Sequence, residues 1–148
     1  MPDTIHASVA SVGGRGVLIR GASGSGKSSL LMALLTSRDA GAVLVADDRA
    51  VLSTRGDRVV ASPPPALAGL MEIRGVGIVR REYLAAVPLD LVVDLRPLVE
   101  CPRYPAGDEA AAVLAGVRLP RIFIAIGATD GAARVLAGLA AAGQRVLT

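Results

Sequence analysis

One lysine, one histidine, one cysteine, no tryptophan, two tyrosines and one phenylalanine are all that the 148 residues hold of those types. A lone cysteine, Cys101, closes no intramolecular disulfide, and no charged-then-apolar stretch at the start reads as a secretory signal, so a cytoplasmic protein is expected. Aromatics at 2% leave little on which to stack bases. The excess of 16 basic over 13 acidic residues is small and scattered, so no nucleic-acid partner is expected. No apolar run approaches the ~18 residues of a membrane span, which argues against a membrane partner. What is present is apolar: 52% of the residues are hydrophobic, enough for one domain with a real core spanning residues 1–148.

Hydrophobic period gives the coarse organisation. Ile5 to Val12 alternates, breaks at Gly13-Gly14 and resumes at Gly16 to Ile19, which predicts a hairpin. Ser28 to Ser37 carries Leu30, Leu31, Leu34 and Leu35 at helical spacing, with Met32 and Ala33 widening the apolar face. Ala42 to Ala46 reads as a buried strand that ends in Asp47-Asp48. Ala50 to Ser53 and Arg58 to Ala61 flank Gly56-Asp57 as a second hairpin, stopped by Pro63-Pro64-Pro65 and followed by a helical turn over Ala66 to Leu70. The glycines of Met71 to Val79 favour a turn or bulge over a regular element. Leu89 to Leu95 and Val117 to Ile126 read as strands, with Pro120 marking an edge or the start of pairing. Asp130 to Ala142 reads as a closing helix with Asp130 as its N-cap or first-turn acid.

The strongest signal is Gly21-Ala22-Ser23-Gly24-Ser25-Gly26-Lys27-Ser28, a phosphate-binding loop (Gly, four residues, Gly-Lys-Ser) between an apolar strand and an amphipathic helix. At average composition these four specified positions arise by chance in about one chain of this length in a hundred, or fewer. Backbone N–H groups must converge on phosphate oxygens, which needs glycine where a Cβ would collide or φ must be positive. The helix that starts near Lys27 adds the positive end of its dipole. Lys27 then belongs against the β- and γ-phosphates of ATP, and the Ser28 hydroxyl is the natural ligand for Mg²⁺. The bland reading, a glycine-rich turn with a surface lysine, leaves the placement of the only lysine to coincidence.

Phosphoryl transfer to a hydroxyl also needs a carboxylate near the metal and a group that receives the hydroxyl proton. Asp47-Asp48 sits where such groups belong, and neighbouring residues at a strand end point to opposite sides. Taken without the loop, the pair reads equally as a solvated turn. By spacing alone Glu72 with Arg74 is as much a surface pair as a metal ligand. His6, on the first strand, is by residue type more often structural than catalytic.

His6, the loop Gly21 to Ser28, Val45-Ala46-Asp47-Asp48 and Met71-Glu72-Ile73-Arg74-Gly75-Val76-Gly77-Ile78 together resemble the catalytic domain of the HPr kinase/phosphorylase family, from about Ile5 to Val99. The resemblance implies an α/β fold, a mixed twisted sheet with a phosphate loop similar to phosphoenolpyruvate carboxykinase. It implies ATP- and Mg²⁺-dependent phosphorylation of a seryl hydroxyl on HPr, the small phosphocarrier of the phosphotransferase system. It makes His6 a partner of the acid pair, Asp48 the proton acceptor, Asp47 its support, Glu72 a further Mg²⁺ ligand, and Arg103 in Pro102-Arg103-Tyr104-Pro105 the catalytic arginine. A guanidinium there would offset charge on the transferring phosphoryl group.

The chain begins five residues before His6, similar to the shortened members known from some proteobacteria that lack the family's N-terminal domain. After Pro120 the family's Pro-Gly-Arg type loop, associated with phosphorylase activity, is replaced by Arg121-Ile122-Phe123-Ile124-Ala125-Ile126-Gly127. The kinase direction is therefore expected and the phosphorylase direction is not. Family members assemble as hexamers, so a homo-oligomer is expected. Two other readings stay open: a small-molecule kinase, because the loop does not name its acceptor, and an ATP-binding sensor that transfers nothing. The intact acid pair and Glu72 weigh against the sensor.

Overall fold

The structure is a computed structural model and is described for residues 3–141. Eleven strands and two helices occur among them. The opening hairpin forms, β2 (Ala7–Val12) pairing antiparallel with β3 (Arg15–Arg20), but the strand predicted from Ile5 is broken: β1 (Asp3–Ile5) is a separate strand, and His6 lies in the bend between β1 and β2 and not on a strand. Gly13 and Gly14 both have positive φ, 58° and 84°, as a two-residue turn matching the twist of its strands requires. The glycine-rich loop follows, then α1 (Lys27–Thr36) and β4 (Ala42–Ala46), which pairs antiparallel with β2. β5 (Ala50–Arg55) and β6 (Arg58–Ser62) make the second hairpin.

The strand β9 (Val87–Arg96) organises the rest. It pairs parallel with β3 and with β11 (Val117–Ala125), and its first residues pair antiparallel with β6. The nine-stranded sheet is thus mixed and branched, and the carboxyl ends of β3, β9 and β11 share one edge. β11 changes partner at Pro120: residues 117–120 pair antiparallel with β10 (Ala111–Leu114), and residues 121–125 pair with β9. Proline has no N–H to donate, so it fits this change of partner.

Alternate side chains of β3 and β9 feed two cores. Val17, Ile19, Leu91, Val93 and Leu95 pack with Leu30, Leu31 and Leu34 of α1 and with Val135 and Leu139 of α2 (Gly131–Ala141). Leu18, Leu89 and Val92 face the other side, against Ala7, Val9, Leu52, Val59 and Ala61. Leu31 is wholly buried, and truncating such a leucine costs about 2–5 kcal/mol. This packing fixes the start of α1 against the end of β3.

Three further sequence expectations are corrected, and one strand was not foreseen. Ala33 is exposed and does not widen the buried face of α1. The helical turn after the prolines is a 3-10 turn over Pro65–Leu67, and Leu70 already belongs to a strand. Met71 to Val79 is not an irregular bulge but a two-stranded hairpin, β7 (Leu70–Ile73) and β8 (Gly77–Arg80), separate from the main sheet. β10 is a strand that the small, apolar sequence around Ala111 to Leu114 does not announce. Asp130 stands immediately before α2, where its carboxylate accepts from Arg134 Nε at 2.9 Å. The last residue of the predicted closing helix, Ala142, lies outside the described residues. No helix among them is long and apolar enough to cross a membrane.

Candidate active site

Predicted residues from three separate segments converge on one cleft of ≈ 420 Å³, with His6 outside its lining but bonded to Asp48. Gly24, Gly26, Lys27, Ser28 and Met32 form one wall, Met71, Glu72, Ile73 and Arg74 of the β7–β8 hairpin the other, and Asp47 and Asp48 the floor. Gly26 has φ 102°, and α1 starts without a side-chain cap or an acidic residue in its first turn. Its orphan N–H groups are therefore available to an anion, with the helix dipole adding to the attraction.

The loop tolerates no Cβ at Gly21: one built there would lie 2.5 Å from Ser25 Oγ and 3.1 Å from Leu95 Cβ. Ser25 is buried, and its hydroxyl is the one buried side-chain polar atom without a partner among the described residues. Lys27 is only 6% exposed and folds back on the loop, its Nζ donating to the carbonyls of Gly21 at 3.0 Å and Ala22 at 3.2 Å. These are exchangeable neutral acceptors for a cation that an incoming phosphate would attract more strongly. Ala22 and Ser23 are exposed on the outside of the loop.

The adjacent acids are separated in environment. Asp47 Oδ1 accepts from Ser28 Oγ at 2.7 Å and from Ser8 Oγ at 3.1 Å, while its Oδ2 accepts from the Glu72 N–H at 3.2 Å. Asp48 has φ 67°, a left-handed conformation costing an L-residue about 1 kcal/mol or more. Its N–H donates to Ser8 Oγ at 3.0 Å, and its carboxylate, 61% exposed, meets His6 Nε2 at 2.5 Å. So Asp47 is tied to the loop and to the opposite wall, whereas Asp48 points outward with His6 behind it.

Ser28, Asp47 and Glu72 fit the hard-oxygen preference of Mg²⁺, which is commonly held by one or two carboxylates plus phosphate oxygens and water. No cluster of three or more His, Cys, Asp or Glu able to hold a metal occurs among the described residues. Such a cluster is not what a nucleotide-borne Mg²⁺ requires.

Arg103 is not brought to this cleft. It is exposed, stacks over Tyr104 with its Cζ 5.4 Å from the ring centroid, and is absent from the cleft lining. Two features escaped the sequence reading. Ser8, wholly buried on β2, joins both acids; a polar residue at a core position of a strand was the available signal. Asp94 on β9, 1% exposed, holds Arg20 Nε at 2.6 Å and Arg121 at 3.4 Å, one residue behind the glycine-rich loop. Arg121 also donates to the Glu109 carbonyl at 3.0 Å and stacks on Phe123.

Comparison with known proteins agrees with this architecture. The family model described as HPr Serine kinase C-terminal domain matches residues 2–142. An HPr kinase/phosphorylase of Enterococcus faecalis is 34% identical over 133 residues, covering 83% of this chain and 42% of the relative. One of Limosilactobacillus reuteri is 34% identical over 135 residues, covering 83% and 41%. One of Mycoplasma mycoides is 35% identical over 97 residues, covering 61% and 30%. The chain thus spans less than half the length of these curated relatives. The solved structure of the Hpr(Ser) kinase/phosphatase from Coxiella burnetii superposes with a TM-score of 0.76 at 25% identity, over 97% of this chain and 96% of that one. With the family model matching nearly its whole length, the chain belongs to the HPr serine kinase C-terminal domain family.

Proposed function

We propose that the chain is an ATP- and Mg²⁺-dependent kinase that phosphorylates a seryl hydroxyl on an HPr-type phosphocarrier, working in the kinase direction. The observation that carries this reading is the junction at Asp47: the same carboxylate holds the Ser28 hydroxyl of the loop and the Glu72 N–H of the facing hairpin, beside an outward Asp48. A mere nucleotide binder has no need of a second carboxylate at the mouth of the phosphate cleft.

In this reading Lys27 leaves the loop carbonyls for the β- and γ-phosphates, and the start of α1 takes the remaining phosphate charge. Mg²⁺, held by Ser28 and Glu72, would supply charge neutralisation on the phosphate oxygens. Asp48, exposed and held by His6, accepts the proton of the serine hydroxyl as its oxygen bonds to the γ-phosphorus. The bond from that phosphorus to the β,γ-bridging oxygen breaks, and its electron pair leaves with ADP. Asp47 holds Ser28 and the hairpin in register and takes no proton. Arg103 receives no role, since it lies away from the cleft of its own chain. The acceptor's identity rests on the relatives, which are named for HPr. Assembly as a homo-oligomer fits the exposure of Leu98, Val99 and Tyr104 on the segment after β9.

The test is incubation with Mg²⁺-ATP and an HPr-type phosphocarrier, followed by intact mass and phosphosite mapping. One phosphate on a serine, reduced about 10²–10⁴-fold by Asp48→Asn, is the expected result. Normal transfer by that variant refutes the proton-acceptor assignment. ATP binding with no modified phocarrier, but with a phosphorylated small hydroxyl compound or no product at all, points to the small-molecule kinase or the sensor instead.

A further inference from the structure

β3 and β9 are joined by charge at the point where the glycine-rich loop begins. Arg20 is the last residue of β3, and Asp94 is its cross-strand partner on β9. The guanidinium holds the carboxylate at both oxygens, Nε donating to Oδ1 at 2.6 Å and Nη2 to Oδ2 at 3.2 Å, while Arg121 Nη1 reaches Oδ2 from β11 at 3.4 Å. Arg20 stands two residues after Leu18 and Asp94 two after Val92, so both lie on the sheet face turned away from α1. Asp94 is buried and does not line the cleft, and no step of the proposed transfer uses it.

A buried carboxylate with its arginines stabilises a fold no better than well-packed apolar side chains of the same volume, and its best-attested use is to fix register. Register needs fixing here. The pairing of β3 with β9 shifts between Gly16, opposite Leu89, and Val17, opposite Leu91. The pairs that follow, Val17, Leu18 and Ile19 against Leu91, Val92 and Val93, are all aliphatic, so a slip of two residues would keep each side chain on its face. The pair of Arg20 with Asp94 is the one that such a slip would break. Directly beyond it, Gly21 lies against Leu95, where a Cβ would come within 3.2 Å of the Leu95 carbonyl oxygen, and the carbonyls of Gly21 and Ala22 hold Lys27 Nζ. The first residues of the loop are therefore seated on β9 one residue past the ion pair.

We propose that Asp94 is a positioning residue for the nucleotide: by holding Arg20 it fixes the end of β3 on β9, and so sets where the N–H groups of the loop and the Lys27 ammonium meet the phosphates. This rests on the nucleotide-binding reading of the loop above. Asp94 acts through Arg20 and touches no reacting atom. Arg121 steadies the carboxylate from the other neighbouring strand, since its own guanidinium is held by the Glu109 carbonyl and by the Phe123 ring. The carboxylate thus ties together the ends of β3 and β9 and the start of the parallel part of β11.

The experiment measures the thermal melt and the Kd for Mg²⁺-ATP of the parent and its variants, with binding read at a temperature where each is fully folded. Asp94→Asn is expected to melt lower and to bind ATP about tenfold or more weakly, the equivalent of one bond lost between a loop N–H and a charged phosphate. Val59→Ala, in the second core on β6, also melts lower but is expected to keep the Kd within about twofold of the parent, as a site with no shared partners does. Arg20→Lys keeps the charge and loses the planar fork, and its affinity should fall between those of the parent and Asp94→Asn. The combined variant Arg20→Met, Asp94→Leu, Arg121→Met replaces the charges by apolar chains, and is expected to recover the melt without recovering the affinity. Parent-like affinity in folded Asp94→Asn, or affinity that returns with the melt in the combined variant, shows an ion pair of structural use alone and overturns the proposal. Should the combined variant not fold, Asp94→Asn against Val59→Ala still decides. A parent chain that binds no ATP overturns the reading of the loop itself, and this proposal with it. The assay needs no acceptor, so a wrong acceptor and a wrong role for Asp94 are told apart.

Discussion

Ser8→Ala removes one oxygen and tests how the acid pair is held. The Ser8 hydroxyl donates to Asp47 Oδ1 and accepts the Asp48 N–H, and the residue has no solvent exposure. Without it Asp47 keeps Ser28 and the Glu72 N–H, but the Asp48 N–H loses its acceptor at the point where the chain adopts φ 67°. A hydrogen bond to a charged group contributes about 1.5–3 kcal/mol, and an orphaned buried donor costs about 1–3 kcal/mol. Because Asp48 itself is well exposed, water replaces part of the loss, and about 2 kcal/mol is the expected destabilisation. For a chain of this size that lowers Tm by about 4–8 °C. Transfer should fall further than stability explains, because a proton acceptor displaced by about 1 Å can lose about 10²-fold in rate. The assays are a thermal melt and single-turnover phosphorylation at a temperature where both proteins are folded. An unshifted melt with unchanged turnover would show that the left-handed turn at Asp48 stands without Ser8, and the reasoning fails.

Two further predictions concern charge. Asp94→Asn leaves Arg20 and Arg121 without their shared carboxylate; loss of one partner of a buried ion pair costs about 3–5 kcal/mol, reduced here because Arg20 is 31% exposed, and a urea melt should move to lower midpoint at unchanged slope. A midpoint equal to that of the parent refutes it. At the start of α2, the Arg134 guanidinium bonded to Asp130 holds its carboxyl below the ordinary value of 3.8. The charged form is therefore favoured in the folded chain: the stabilisation is present above the ordinary carboxylate range and is lost as pH falls through the lowered pKa. Arg134→Ala should return the Asp130 titration, followed by carboxyl NMR shifts, to its ordinary position, and an unchanged titration excludes this cause.

Features written in a few consecutive residues were legible in the sequence. Gly13-Gly14 between alternating runs, Ala42 to Ala46 before the acids, and the loop before four leucines all formed within a residue or two of expectation. The β7–β8 hairpin is not legible because Gly75 and Gly77 count as strand breakers, whereas here Gly75 closes the turn and Gly77 opens the second of two four-residue strands. β10 was missed because a short run of small residues pairs only when Val117 to Pro120 lies beside it. Asp94 has no signal in its neighbourhood at all: its arginines stand 74 and 27 residues away and meet it through parallel pairing with β3 and β11.

The acid pair reaches the cleft by a route that strand alternation does not describe. Strand alternation predicts that Asp47 and Asp48 face opposite ways, and they do part, but not by alternation, since β4 ends at Ala46. They part because Asp48 turns left-handed, with the Arg49 N–H donating to the Asp47 carbonyl at 2.8 Å. Aspartate is among the residues that tolerate this conformation, and Ser8 and His6 from the neighbouring strand edge hold it there. Pleating would have sent one carboxylate to each face of the sheet. The turn instead keeps both at one cleft, Asp47 bonded to the loop and hairpin and Asp48 exposed beside His6, which is the separation that the proposed roles of support and proton acceptor call for.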